Sequence, residues 1–279
     1  MGTAIRTLIA AVNVIGLFSI ASISIADDFF DKGKQALEKK DFFSATDYFN
    51  AAIERNPKNI EMYFLRGRSR HECGLADDAI ADFTEVIQLD PKHSRALFNR
   101  GLAYIILDEN DKAIADFTGA IRLDSKYAEA YYKRGFCYAV KREGDKAIAD
   151  GMEGIKLAPK DAEAYRCRGF AYERNREWEK AIADYSEVIR LDPNHAKDHT
   201  LRGFAYLNSS ELDKSIVDFT DAIRLDPEYS PAYRHRSRAY QKKGDTNRSD
   251  TDAAKAKQID EAIFGKPGET TIPEITPTK

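Results

Sequence analysis

Apolar residues recur in this chain at two spacings. Tyr131, Gly135 and Tyr138 stand at i, i+4 and i+7, and so do Ala181, Tyr185 and Val188. Each set is one stripe on a helix of 3.6 residues per turn, so each predicts a helix with one buried face. The helices then return at a longer period. Ala79-Ile80-Ala81-Asp82 reappears as Ala113-Ile114-Ala115-Asp116, Ala147-Ile148-Ala149-Asp150 and Ala181-Ile182-Ala183-Asp184, with a relaxed copy at Ser215-Ile216-Val217-Asp218, each step being 34 residues. Arg66-Gly67, Arg100-Gly101, Arg134-Gly135, Arg168-Gly169 and Arg202-Gly203 keep the same interval, and Lys32-Gly33 and Arg236-Ser237 extend it. Seven units follow, at 26–59, 60–93, 94–127, 128–161, 162–195, 196–229 and 230–263.

Each unit reads as two helices. Pro91, Pro159, Pro193 and Pro227 stop the second helix, because proline lacks an N–H and clashes with the preceding turn. Gly at the eighth position lets the second helix approach the first, facing Ala45, Ala79, Ala113, Ala147 and Ala181. One such hairpin cannot bury its own stripe, so the units are expected to stack into an all-α solenoid.

The pattern resembles the tetratricopeptide repeat family: a large residue at position 4, Gly at 8, Tyr at 11, Ala at 20, Phe at 24, Ala at 27 and Pro at 32. Tyr104, Tyr138, Tyr172, Tyr206 and Tyr240 hold position 11, and Phe49, Phe83, Phe117, Tyr185 and Phe219 hold position 24. The resemblance implies a right-handed α-solenoid of seven 34-residue helix-turn-helix units over 27–263. It also implies a concave face lined by the first helices at positions 2, 5, 9, 12 and 13. On this chain those positions bring Phe64, Phe98, Leu102, Ile105, Tyr132, Phe136, Phe170, Phe204 and Leu207 into an apolar groove. Arg166, Arg234 and Arg238 make its carboxyl end basic and are expected to receive acidic groups. The expected function is a non-catalytic scaffold that binds a peptide or protein partner. The alternative is self-assembly, with the groove taken by another copy or by the chain's own tail. The family's chaperone-tail clamp is not supported, since position 9 is never Asn.

Departures from the pattern carry information. Arg70 replaces the position 11 Tyr in unit two. Unit four has Gly151 and Gly154 where an aromatic and a small apolar residue are expected, which makes its second helix the expected soft point, with Met152 as the residue that would swing in. Ser249-Asp250-Thr251-Asp252 make the last unit polar, as a wettable cap requires.

No catalytic constellation accompanies the repeat. GxSxG, HExxH, P-loop and CxxC patterns are missing, so an enzyme is not expected and no cofactor is implied. His195 and His199 are four apart but straddle a helix start, which favours a loop residue and a packing residue over a metal pair. Arg at position 7 and Asp at position 23 recur together, from Arg66 with Asp82 to Arg202 with Asp218, and read as a repeated internal ion pair rather than a row of anion sites. Cys137 and Cys167 lie on adjacent first helices at different phases, which disfavours a disulfide. Lys plus Arg is 43 against 46 Asp plus Glu, a balance that excludes a strongly basic nucleic-acid binder.

The two ends differ from the repeat. Thr7 to Ala26 carry no charge, follow Arg6 and end in Ser24-Ile25-Ala26, which fits a signal peptide over 1–26 cleaved before Asp27. An anchor over residues 7–26 is the alternative, disfavoured by Asn13, Gly16 and three serines. The expectation is an exported chain, periplasmic or secreted, which touches a membrane only if that segment stays attached. Residues 264–279 hold three prolines and are expected to be a disordered tail.

Overall fold

A computed structural model describes residues 25–264, and every described element is a helix or a turn. The helices are α1 (25–38), α2 (Phe42–Arg55), α3 (Ile60–Glu72), α4 (Ala76–Leu89), α5 (Ser94–Ile106), α6 (Asn110–Leu123) and α7 (Ala128–Val140). They continue as α8 (Gly144–Leu157), α9 (Ala162–Arg174), α10 (Trp178–Leu191), α11 (Ala196–Asn208), α12 (Leu212–Leu225), α13 (Ser230–Lys242) and α14 (Thr246–Phe264). Odd-numbered helices are the first helices of the units and even-numbered ones the second. The expected signal segment and tail fall on residues outside the described range, apart from Ile25, Ala26 and Phe264, which are helical. Among the described residues no helix is long and apolar enough to cross a membrane.

The chain forms two compact units divided within α7, one ending at Cys137 and one starting at Tyr138. In the first, α3 pairs with α4 and α5 with α6, while α2 packs on α3 and α4 on α5. The second repeats the scheme with α9 and α10, α11 and α12, and α13 and α14, joined through α10 on α11 and α12 on α13.

Each helical pair closes the same way. The residue at position 15 is left-handed: Lys40, Asp108, Arg142, Arg176 and Ser210 have φ between 57° and 68°, and Gly74 and Gly244 have 77° and 80°. The next N–H then donates back to the position 11 carbonyl, as from Glu109 to Tyr104 at 2.9 Å and from Glu177 to Tyr172 at 2.9 Å. That six-to-one bond satisfies an end-of-helix carbonyl that would otherwise lack a donor. Between units, Asp90, Asp124, Asp192 and Asp226 accept the N–H two residues on, at 2.9 to 3.3 Å, and shape the turn around the following residue. Ala158 stands at this place in unit four.

The core is built from the position 24 rings. Phe49, Phe83, Phe117, Tyr185 and Phe219 are fully buried, and each lies under the position 8 glycine of its own unit. A Cβ on Gly101 would stand 2.7 Å from the Phe117 ring. The glycine therefore makes room for a ring, worth about 2 kcal/mol of buried apolar surface each time. Gly151 does something else. Its missing Cβ leaves space for Arg168, whose Cβ and Cα would lie 2.7 and 3.2 Å away. Met152 does not compensate for the lost ring, contrary to expectation: it points outward with 55% of its surface exposed. In the last unit Ser249, Asp252, Ala256 and Ile259 form the buried stripe of α14, and most of its other residues are exposed.

Candidate functional site

The outward side of the first helices is where the apolar groove was expected, and the helical wheel divides it. Taking position 5 as zero, position 12 lies about 20° to one side, next to the glycine, while positions 9, 13 and 2 lie roughly 40° to 80° to the other. Burial follows that division. At position 5, Phe64, Phe98 and Tyr132 are 6%, 8% and 4% exposed. Phe98 sits between Phe117 and Tyr127, with ring centroids at 5.6 and 4.8 Å, and Phe64 sits likewise between Phe83 and His93 at 6.0 and 5.0 Å. These aromatics join one helical pair to the next. At position 12, Leu207 is 1% exposed and packs with Phe219 and Ala239. Phe64, Phe98, Tyr132 and Leu207 are thus core residues and leave the groove list.

The position 9 row remains at the surface. Leu102 and Phe136 are half-buried and rest, with Ile105, on the cluster formed by Phe98, Ala113 and Phe117. Ile106 at position 13 adds a side chain that is 52% exposed, and Leu107 follows at 37%. In the second compact unit Phe170 packs on Ala139, Ala147 and Ala171, half-buried. Phe204 meets the Trp178 edge at 6.5 Å and the His235 edge at 5.3 Å. Trp178 opens α10, so this contact ties α10 to α11.

The arginines separate in the same way. Arg166 is not available to a ligand. Its guanidinium donates to both carboxylate oxygens of Asp198, at 2.7 and 2.9 Å, and also to Glu163. Asp198 is completely buried, so Arg166 is the countercharge that its burial requires. Arg234 and Arg238 are exposed, and the nearest acid to Arg234 is Asp260 at 3.9 Å. Exposed Arg174 and Lys197 belong to the same compact unit and the same outward positions.

The position 7 arginines are internal, as read from the sequence. Arg66, Arg100, Arg168, Arg202 and Arg236 bind Asp82, Asp116, Asp184, Asp218 and Asp252 through two N–H donors each, at 2.6 to 3.2 Å. Arg134 and Asp150 lie on either side of the division in α7. Arg70, in place of the usual Tyr, brings a second guanidinium to Asp82 at 2.8 Å. A further link was not foreseen. The remaining nitrogen reaches back to position 25 of the preceding unit: Arg66 to Asn50, Arg100 to Thr84, Arg134 to Thr118, Arg202 to Ser186 and Arg236 to Thr220, at 2.9 to 3.3 Å. Asn, Thr and Ser recurring 16 residues before each Arg was the available signal, and Met152 is its interruption. Burial raises the Asp184 carboxyl above its usual range even beside Arg168. Asp218 is buried too, but Arg202 and His199 outweigh that and pull it below.

The two histidines divide as expected. His195 is exposed, with Nδ1 3.2 Å from Asp198, and His199 is buried with Nε2 3.1 Å from the Pro193 carbonyl. Cys73, Cys137 and Cys167 are thiols, not disulfides. Burial pushes the Cys137 thiol up to about 12.

Residues 30–91 and 162–195 match the tetratricopeptide repeat family, and residues 101–140 match the TPR repeat. A tetratricopeptide repeat protein from Parabacteroides merdae ATCC 43184 superposes with a TM-score of 0.71 at 19% identity, over 85% of this chain and 93% of that one. A crystal structure of MamA gives a TM-score of 0.53 at 30% identity, over 58% of this chain and 94% of that one. YrrB, described as a TPR protein with an unusual peptide-binding site, gives 0.51 at 21% identity, over 66% of this chain and 95% of that one. No curated protein matches the chain. With seven units in register, rings seated under their glycines and these sequence and structural matches, the chain belongs to the tetratricopeptide repeat family and has its all-α solenoid fold.

Proposed function

We propose that this repeat protein is a non-catalytic scaffold that holds a peptide segment of a protein partner against its first helices. The observation that carries the reading is the strip formed by Leu102, Ile105 and Phe136, half-buried on one cluster, with exposed Ile106 next in the chain after Ile105. A contiguous apolar strip left in water is costly unless something covers it. The second compact unit, taken by itself, offers half-buried Phe170 and Phe204 to apolar side chains and exposed Arg174, Arg234 and Arg238 to acidic ones. The likeness to YrrB is one of fold, and its peptide-binding description supports the class of ligand alone.

The test is a peptide array of apolar anchors with acidic flanks, followed by fluorescence anisotropy on the strongest binders. Replacing Leu102 and Phe136 with Ala is expected to weaken binding at least tenfold while leaving the helical circular dichroism spectrum unchanged. Undiminished binding by that variant sinks the assignment. Export is a second part of the proposal, supported by the uncharged Thr7–Ala26 stretch and the small residues before Asp27. Mass determination of the protein from its native host decides it, an amino terminus at Asp27 being the expected result.

A further inference from the structure

In units five and seven, position 4 carries a tyrosine whose hydroxyl donates to the carbonyl of the proline six residues earlier. Tyr165 does this to Pro159 and Tyr233 to Pro227, both at 3.2 Å. In unit six the residue is His199, and its Nε2 makes the same contact to Pro193 at 3.1 Å. The structural duty of position 4 is therefore complete with one ring nitrogen. Because a carbonyl only accepts, Nε2 carries the proton, and in the neutral ring Nδ1 is left with a bare lone pair. That nitrogen is buried and has no hydrogen-bond partner, on a residue only 7% exposed. It faces the Asp218 carboxylate, whose nearest oxygen is 3.9 Å away, and Asp218 is itself 2% exposed. Asp221, one turn further along α12, brings a second carboxylate, and one ligand atom from each of the three lies within 4.8 Å of the others.

Two electron-rich atoms that face each other in a buried place call for positive charge between them, either a proton on Nδ1, as when His199 holds the Asp218 carboxyl low, or a metal ion. At 3.9 Å the gap is about 1 Å too long for a hydrogen bond. Ligand atoms of a tetrahedral zinc site, bonded at about 2.0 to 2.2 Å, lie about 3.3 to 3.6 Å apart, so a shift of a few tenths of an ångström by the Asp218 carboxylate would close the pair around an ion. We propose that His199 Nδ1, Asp218 and Asp221 form a site for a divalent transition-metal ion of the zinc type. One imidazole and two carboxylates suit a borderline metal that accepts nitrogen, and do not suit Mg²⁺, which prefers oxygen ligands throughout. Two guanidiniums already share the carboxylates, Arg202 on Asp218 and Arg224 on Asp221 at 3.2 Å, and they lower the affinity without occupying Nδ1. The 34-residue pattern makes the site specific to unit six: units five and seven carry Tyr165 and Tyr233 at position 4.

The experiment uses the full chain, stripped with a chelator and titrated with ZnCl₂, with unfolding followed by circular dichroism. The expected result is a rise in Tm of roughly 3 °C at a free metal concentration about tenfold above the dissociation constant. CoCl₂ should give a visible absorption band from an ordered nitrogen-oxygen site. The decisive variant is His199→Tyr, which restores the residue used in units five and seven, keeps the bond to Pro193 and removes Nδ1. It should fold and lose both responses. A wild-type Tm unmoved by ZnCl₂, an equal rise in His199→Tyr, or an equal rise with MgCl₂ overturns the proposal.

Discussion

Unit four offers a perturbation whose size is computable from its neighbours. In the units around it, a hydroxyl or amide at position 25 takes the third nitrogen of the following guanidinium, as Thr84 does for Arg100 and Thr220 for Arg236, both at 3.0 Å. Among the described residues Arg168 hydrogen-bonds to Asp184 alone, because Met152 offers no oxygen at that place. Replacing Met152 with Thr should supply the missing link. A hydrogen bond to a charged group is worth about 1.5 to 3 kcal/mol. The Arg168 side chain is 21% exposed and the new hydroxyl would lie nearer to water, so about 1 to 1.5 kcal/mol is the reasonable share. Threonine in place of methionine costs about 0.4 kcal/mol of helix propensity. The net gain is on the order of 0.5 to 1 kcal/mol, or roughly 1 to 2 °C in Tm for a protein of this length. Met152→Val is the control, having the same branching without the hydroxyl. Thermal unfolding of both variants, alone and with Arg168→Lys, gives a double-mutant cycle. A valine variant as stable as the threonine variant, or no coupling to Arg168, refutes the reasoning.

Three further outcomes are expected. Gly101→Ala should destabilise by about 1 to 3 kcal/mol although alanine is the better helix former, since its Cβ would enter the Phe117 ring at 2.7 Å; an unchanged urea midpoint would show that the ring moves freely. Burial raises the Glu173 carboxyl, with Tyr185 donating to it at 3.0 Å, so its contribution is fully favourable below the unfolded pKa and fades as pH rises through the higher folded one. Glu173→Gln should therefore raise Tm at pH 7 and lose that advantage near pH 4, a difference read from melts at the two pH values. Iodoacetamide at pH 8 should modify Cys73 in the native chain and spare Cys137, whose thiol is buried with a pKa of about 12; peptide mass mapping checks this.

The period and the helical pairs could be read from the sequence because each is a local spacing repeated seven times, but the glycine was expected to face the position 20 alanine, and in five units it is the position 24 ring that fills its place. The Arg–Asp pairs followed from the same register. The groove was only half legible. Phe64 and Phe136 both occupy outward positions, yet Phe64 is core and Phe136 is surface, and the 40° that separates them on the wheel matters only once the next helix is in place. Arg166 misled for a related reason. Its partner, Asp198, is 32 residues away at position 3, where no other unit uses an acid this way, so no repetition announced the pair. His195 and His199 were read as a loop residue and a packing residue, and the carboxylates that face His199 come from the companion helix, which a spacing rule along one helix does not see.

The charge arrangement bears on how such an array gains and loses length. The guanidinium at position 7 is neutralised by an acid of its own unit, and only an uncharged hydroxyl or amide reaches across to the neighbour. A whole unit can then be duplicated or excised without stranding a charge in the interior. Arg166 and Asp198 break that rule at the joint between units five and six. A recombination event there would leave a buried carboxylate with no cation, a penalty of about 3 to 5 kcal/mol, so that joint is the one at which this array resists being spliced.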